Sequence, residues 1–540
     1  MRLIAASFAL YYASTALGIY IPRTNSSGPT VNLPYAQYEG FHDQTTGLDV
    51  FLGIRYAKAP IGNLRWRAPE PPDASNGVFK AISQPARCYQ ASPRLWSLAT
   101  LPGSTIPKLS APGPAEDCLF LNVYSPPLSS HKKNLPVLVW VHGGGYVGGF
   151  AAWYDPTTMI KASNDSFIAV IIQYRLGMFG FLAGNEIEKN GDLNAGLLDI
   201  QFALKWTQQN IHLWGGDPSQ VTLWGESAGA GAVLMQVVAN GGKTNPQLFQ
   251  RSIASSPYLP PTYRYNDTVP EAQYVQFINA SGCANSTSTL TCLRGLNYTT
   301  LANAGANITD QLPRPVVDGK FLAQRPELSL ARKQVNGEKI ISLHNVNEGF
   351  VLVAERPNST VESYLETTFP SLNEQNRTAI SNTYKIFSSN SATTQANIFA
   401  NQVGIYGEGE YVCPSLWLVE AFPNNGYQGL FAPPPSYHTE DLGVYFPGSQ
   451  TMPPAQPFTE SLTQSFMGAL ISFILTGSPN NNPLNKTINP YWNTYDSNST
   501  QGMTFNITSN GAADPKFEVV SDGILNRCKL WHSIAPYTPQ

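Results

Sequence analysis

Val221-Thr222-Leu223-Trp224-Gly225-Glu226-Ser227-Ala228-Gly229 decides the reading of this chain. An apolar run ends at Trp224, and a run of small residues from Ala230 to Ala239 follows with the composition of a helix. Strand, tight turn and helix around G-x-S-x-G is the setting of a nucleophile elbow. The turn is so sharp that its flanking positions must be glycine, because a Cβ there would clash. The serine Oγ then projects at a helix N-terminus, where N–H groups and the helix dipole favour developing negative charge. Upstream, His142-Gly143-Gly144-Gly145 closes another apolar run and is suited to supply backbone N–H donors.

Further apolar runs at Leu135–Val141, Phe167–Tyr174, Val221–Trp224 and Lys339–Leu343 read as strands buried on both faces. Asp49–Tyr56 reads as an earlier strand. Between the second and third runs, Leu197, Leu198, Ile200, Ala203, Leu204, Trp206 and Ile211 recur at helical spacing and mark a core face. The segment 262–310, rich in Ser, Thr and Asn, reads as a glycosylated surface excursion, and 355–425 as mainly helical with polar faces. With no internal repeat or flexible linker, residues 19–540 read as one α/β catalytic domain.

Charged residues are 13 % of the 540 and the formal net charge is −3, which excludes a nucleic-acid footprint or polybasic membrane patch. Residues 1–18 read as a signal peptide, with Arg2 ahead of an apolar stretch to Leu17 and cleavage after Gly18. No other stretch is long and apolar enough for a transmembrane anchor. Six cysteines, an even number without metal-ligand spacing, and twelve N-x-S/T sequons between Asn25 and Asn506 agree with a secreted, N-glycosylated protein. No metal or organic cofactor is expected.

Acyl transfer by a serine requires a base within hydrogen-bond reach and an acid that orients it. In the order associated with this elbow the partners follow the serine, which leaves His344, His438 and His532. His532 sits in a terminal packing segment, and His344 reads as a core histidine at the end of a strand. His438 follows the rigid loop Ala432-Pro433-Pro434-Pro435-Ser436-Tyr437 and is the better base.

Glu116-Asp117-Cys118-Leu119-Phe120-Leu121-Asn122-Val123-Tyr124-Ser125-Pro126 and Gly215-Gly216-Asp217-Pro218 through Gly229 resemble the two signatures of the type-B carboxylesterases. That family includes cholinesterases, Candida-type fungal lipases and the non-catalytic neuroligins. The resemblance runs from about Val50 to Pro536. It implies an α/β-hydrolase fold, a large mostly parallel sheet flanked by helices with cap and flap insertions. Asn347-Glu348-Gly349-Phe350 and Tyr437-His438-Thr439-Glu440-Asp441 resemble its acid and histidine loops. The resemblance therefore implies a triad of Ser227, Glu348 and His438, with an oxyanion hole from the N–H groups of Gly144, Gly145 and Ala228. It also implies disulfides Cys88–Cys118, Cys283–Cys292 and Cys413–Cys528, and buried ion pairs Arg175–Asp199 and Arg65–Glu116. Glu226 would lie behind the triad, and Ser256 beside Glu348.

One departure bears on substrate. Where cholinesterases carry a choline-binding Trp in the flap loop, this chain has Lys108, which offers no cation–π face. The flap's Leu95, Trp96, Leu98, Leu101 and Ile106 are apolar. The expectation is a serine esterase acting on small-molecule, neutral esters of moderate hydrophobicity. A lipase or an acyltransferase would use the same triad. A non-catalytic adhesion protein is disfavoured, since Ser227, Glu348 and His438 are all present.

Overall fold

The computed structural model describes residues 28–91, 112–306, 308, 312–353, 359–387, 395–449, 458–481 and 489–535. The expected signal peptide and the flap residues Leu95 to Lys108 lie outside the described residues.

A small sheet of β1 (Thr30–Leu33), β2 (Ala36–Glu39) and β5 (Val78–Lys80) flanks a central sheet of eleven strands. In chain order the central strands are β3 (Phe41–Asp43), β4 (Leu48–Arg55), β6 (Phe120–Ser125), β7 (Leu135–Val141), β8 (Ile168–Ile172), β9 (Gly216–Glu226), β10 (Arg251–Ser255), β11 (Lys339–Asn345), β12 (Gly426–Phe431), β13 (Gln501–Phe505) and β14 (Lys516–Val519). In space they run β14-β13-β12-β11-β10-β9-β7-β8-β6-β4-β3. The block from β8 to β13 is parallel, and antiparallel strands close both edges. This is the α/β-hydrolase architecture.

Helices cover both faces, which is why the parallel strands are apolar on both sides. On one face, Ala195–Asn210 and Ala228–Val238 pack over one alternating set of strand side chains, such as Val139, Leu223 and Ala254. On the other, Glu460–Thr476 packs near Trp140, Trp224, Ile253 and Leu343. The chain passes from β7 outward to β8, then returns past β7 to β9 and continues to β10 on the opposite side. The reversal opens a crevice at the carboxyl ends of β7 and β9, the topological switch point where α/β sheets bind ligands.

Two sequence readings need correction. The segment 262–310 is not a surface excursion: Thr268–Ala280, Thr289–Gly295 and Tyr298–Ala306 are helices. Their Phe277, Leu290, Leu293 and Leu301 form a separate core with Trp66, Met178 and Phe179. Asn266, Asn279, Asn285 and Asn297 nevertheless point outward from it, because helix formation segregates the apolar residues to the inner face. Within 355–425, Cys413–Glu420 is buried except at Glu420, so that helix has no polar face.

Buried charge is paired in bidentate fashion. Arg175 donates from Nε and Nη2 to Asp199 at 2.7 and 2.6 Å. Arg65 donates to Glu116 at 2.6 and 2.7 Å, and its Nη1 reaches the carbonyls of Arg294 and Leu296. That second pair fastens the helical insertion to the sheet. The disulfides are Cys88–Cys118, Cys283–Cys292 and Cys413–Cys528, the last tying the C-terminal helix Asp522–Ile534 back across a separation of 115 residues.

Glu327 is different: it is fully buried, neither oxygen makes a well-formed hydrogen bond, and Arg325 Nε stands 3.3 Å away. Burial pushes its carboxyl from 4.5 up to about 8, against the weaker pull of its own backbone N–H and Arg325. A raised folded pKa means the folded chain holds the proton that the unfolded chain releases. The penalty is thus absent below pH 4.5 and grows as pH rises toward 8. Glu327→Gln is expected to raise the melting temperature by about 1–3 °C at pH 8 and by almost nothing at pH 4.5, read by differential scanning calorimetry.

Candidate active site

Ser227 joins β9 to the helix Ala228–Val238 with φ 55° and ψ −125°, a conformation that side chains rarely adopt. It is anchored on both sides: its N–H donates to Ser255 O at 2.9 Å, and its carbonyl accepts from Gly231 and Tyr258. The neighbouring glycines are required by space. A Cβ on Gly225 would stand 2.4 Å from the Gly229 carbonyl carbon, and one on Gly229 would stand 2.1 Å from Val141 O. Gly143 has the same constraint, with Glu226 O at 2.8 Å. The ends of β7 and β9 and the first helical turn therefore meet backbone to backbone.

The loops after β11 and β12 bring the other two side chains in. His438 Nε2 lies 2.9 Å from Ser227 Oγ, and its Nδ1 lies 2.5 Å from Glu348 Oε2. Ser436 locks the two loops together: its Oγ donates to Phe431 O and accepts from Val346 N–H, while its carbonyl accepts from Asn347 N–H at 2.9 Å. Glu348 Oε1 accepts from Ser256 Oγ and from Asn345 N–H, each at 2.6 Å. Asn345 Nδ2 in turn donates to Ser256 Oγ and Asp441 Oδ1, and Tyr445 OH donates to Asp441 Oδ2. Ser227, Ser256, Ser436, Thr439 and Tyr146 all have positive φ, so non-glycine strain gathers around this point.

Three buried carboxyls surround the histidine, and their surroundings separate them. Burial raises Glu348, but the charge of His438 and the hydrogen bonds from His438, Ser256 and Asn345 outweigh it, leaving the carboxyl below its ordinary value. Burial lifts Asp441 to about 6 despite Tyr445 and Asn345. Glu226 is pushed well up by burial and by the charges of Asp441 and Glu348; its Oε1 is 3.5 Å from His438 Nε2 and has no hydrogen-bond partner. Glu348 is thus the carboxylate held ionised.

Gly144 and Gly145 have φ of 113° and 63°, and the turn they make is closed by Val147 and Gly148 N–H donating to Gly144 O. Both glycines line the same cavity as Ser227 and His438. Ala228 is the first residue of the helix, one step after the serine. Among the described residues no protein acceptor takes the N–H of Gly144 or Gly145. His142 is not a titrating group of the site: burial pushes it down to about 4, and its ring stacks on Tyr174 with centroids 4.5 Å apart.

The cavity encloses about 230 Å³ and is walled by apolar and aromatic side chains, among them Val147, Trp153, Leu312, Leu352 and Leu442. Tyr258, Tyr406, Tyr411 and Arg314 complete the wall, and the Tyr411 ring packs on His438 at 4.7 Å. The sequence pointed to none of these, because they come from scattered segments with no motif around them. The other two candidate histidines stand apart. His344 is buried with Nδ1 3.1 Å from Asn345 O, and His532 packs edge-on to Trp417.

A model of the "Carboxylesterase family" matches residues 27–522, so the chain belongs to that family of carboxylic ester hydrolases. "Secreted lipase 1" of Botryotinia fuckeliana is 33 % identical over 68 % of this chain and 67 % of its own length. "Secreted triacylglycerol lipase LIP1" of Gibberella zeae is 35 % identical over 62 % of each chain. "Pyrethroid hydrolase Ces2e" of Rattus norvegicus is 35 % identical over 63 % of this chain, which spans 59 % of that relative. The crystal structure of Aspergillus niger EstA superposes with a TM-score of 0.81 at 27 % identity, covering 95 % of this chain and 99 % of that one.

The geometry of the turn is directly testable. Gly229→Ala sets a methyl against a backbone carbonyl that cannot swing aside, and is expected to cost about 1–3 kcal/mol in urea unfolding and to abolish ester hydrolysis. A fully stable, active variant would mean the helix is not held against β7 as described.

Proposed function

We propose that this chain is a secreted serine esterase that cleaves carboxylic esters through an acyl-enzyme, with Ser227 as nucleophile, His438 as base and Glu348 as orienting acid. The observation that carries the reading is the continuous hydrogen-bond line from Glu348 through His438 to Ser227 in the wall of an apolar cavity.

With Glu348 ionised, the His438 Nδ1–H donates to it, and Nε2 is left as the acceptor for the serine proton. As Oγ attacks the ester carbonyl, the proton passes to Nε2, and the imidazolium is stabilised by the carboxylate on its other side. The carbonyl oxygen gains negative charge and accepts from the N–H groups of Gly144, Gly145 and Ala228. Collapse returns the proton to the departing alcohol, and water repeats the sequence to release the acid. Ser256 and Asn345 keep Glu348 in register without touching the reacting atoms.

Secretion is supported by the leader-like segment 1–18, by three disulfides and by the word "secreted" in the names of two fungal relatives. Eight sequon asparagines fall on described residues and none is buried as a residue, but the Nδ2 of Asn376 is, which leaves seven open to glycosylation. The apolar walls favour esters with hydrophobic bulk. A lipase reading draws on the same walls and on the fungal relatives' names. A panel of p-nitrophenyl esters from acetate to palmitate beside emulsified triglyceride separates the two: the esterase reading expects a peak at short to medium chains and little emulsion activity.

Ser227→Ala is expected to lower kcat by about 10⁶, in line with other triad serines, with the fold retained by circular dichroism. His438→Ala turning over at the wild-type rate would remove that residue from the mechanism. Lys108 leads us to expect no gain from a quaternary ammonium. Butyrylthiocholine should not exceed its uncharged isostere, 3,3-dimethylbutyl thiobutyrate, in kcat/KM. A preference for the cation of more than about tenfold would overturn the expectation.

A further inference from the structure

The cavity contains one group that ester hydrolysis does not use. Arg314 is the one lining side chain among the described residues that carries a fixed positive charge, and it shares the wall with Leu312, Tyr258 and Tyr406. No carboxylate among the described residues forms an ion pair with it, although Glu410 lies within electrostatic range. Glu410 is fully buried on the π-helical turn Glu408–Val412, and neither of its oxygens makes a well-formed hydrogen bond. Such turns interrupt a helix at some cost and recur at functional sites. This one also carries Tyr411, the ring packed on His438.

A guanidinium in an apolar cavity is expensive unless an anion meets it, and an unpaired arginine fork matches a carboxylate in two hydrogen bonds. We propose that Arg314 is a specificity-determining residue that receives an anionic group, a carboxylate, on the acyl or alcohol part of the ester cleaved at Ser227. The proposal rests on the esterase reading above and refines its expectation of neutral substrates. The preferred ester joins hydrophobic bulk, set against Leu312, Leu352 and Leu442, to one negative charge.

Glu410 does not take that place itself. Burial lifts its carboxyl to about 7 against the pull of Arg314, Tyr406 and Tyr258, so it is a partial counter-charge near neutrality. Burial works against the charge on Arg314 as well, but a guanidinium keeps its proton at any working pH, and the nearby Glu410 favours the charged form. A substrate carboxylate therefore meets a full positive charge on a part-buried guanidinium. The same charge repels a quaternary ammonium, so the cavity discriminates by sign.

The test compares charged esters with their neutral amides on the full secreted chain: 4-acetoxybenzoate against 4-acetoxybenzamide, and monoethyl glutarate against ethyl glutaramate. The first pair places the charge on the alcohol and the second on the acyl group. Rates are taken per active site titrated with diethyl p-nitrophenyl phosphate and divided by each ester's rate with hydroxide. Wild type is expected to favour the anion in at least one pair by about tenfold or more in kcat/KM. Arg314→Gln should bring that ratio to about one, and Arg314→Lys should keep part of it. Ratios at or below one in both wild-type pairs, or a preference that survives Arg314→Gln, would overturn the assignment. A wild type that cleaves both amides without preferring the anions rejects this inference alone. A wild type that cleaves none of the four and takes no phosphoryl label rejects the esterase reading beneath it.

Discussion

At the carboxyl ends of β7 and β9, three stretches of backbone touch with no side chain between them. Gly143, Gly225 and Gly229 stand where any Cβ would fall within 2.1–2.8 Å of another residue's main chain. Because the contact is between peptide groups, it cannot relax by rotamer change, and the three elements have one relative position. Everything downstream inherits that precision. The serine is forced into positive φ at the start of a helix, and the glycine turn after β7 is brought alongside it. The gap to His438 Nε2 is then set at hydrogen-bond length by the β11 and β12 loops.

Around that contact lies an electrostatic sorting. Three buried carboxyls crowd one imidazole, and like charges at such range cannot all be ionised. The donors are distributed unequally: Glu348 receives Ser256, Asn345 N–H and His438, Asp441 receives Tyr445 and Asn345, and the Oε1 of Glu226 receives none. Only the first is held below its ordinary value. The network thus selects which carboxylate carries charge without moving any backbone. The positive φ at Ser256 accompanies a hydroxyl aimed at Glu348, and that at Ser436 a hydroxyl that donates to the Phe431 carbonyl and accepts from Val346 N–H.

How far the sequence could be read follows from what each element buries. Leu135–Val141 is β7 residue for residue, since a strand with both faces covered is a continuous apolar run. Val221–Trp224 is only the middle of β9, whose outer half, Gly-Asp-Pro-Ser-Gln, carries no hydrophobic signal and pairs because the edge of β7 is available. Arg251–Ser255, Gly426–Phe431 and Gln501–Phe505 escaped reading altogether. Their polar side chains break the apolar run, and some are partnered inside, such as Ser255 Oγ accepting from Trp224 Nε1 and Gln428 Nε2 donating to Gly429 O. At the site, the elbow and glycine loop are local and legible from their own residues, whereas Glu348 needed the family resemblance. The cavity wall from Tyr258, Arg314, Tyr406 and Tyr411 was invisible, because it is assembled across more than 150 residues of chain from two loops and a helix interrupted by a π-turn.

The central claim is that the elbow serine takes the acyl group from the substrate. The most direct measurement mixes the protein with p-nitrophenyl dimethylcarbamate, whose carbamoyl intermediate hydrolyses slowly, then quenches in acid and maps the adduct by tandem mass spectrometry. The account predicts a burst of one p-nitrophenolate per chain and one carbamoyl group, on Ser227. A burst with the adduct on another residue, or ester turnover with no covalent adduct at all, would contradict it.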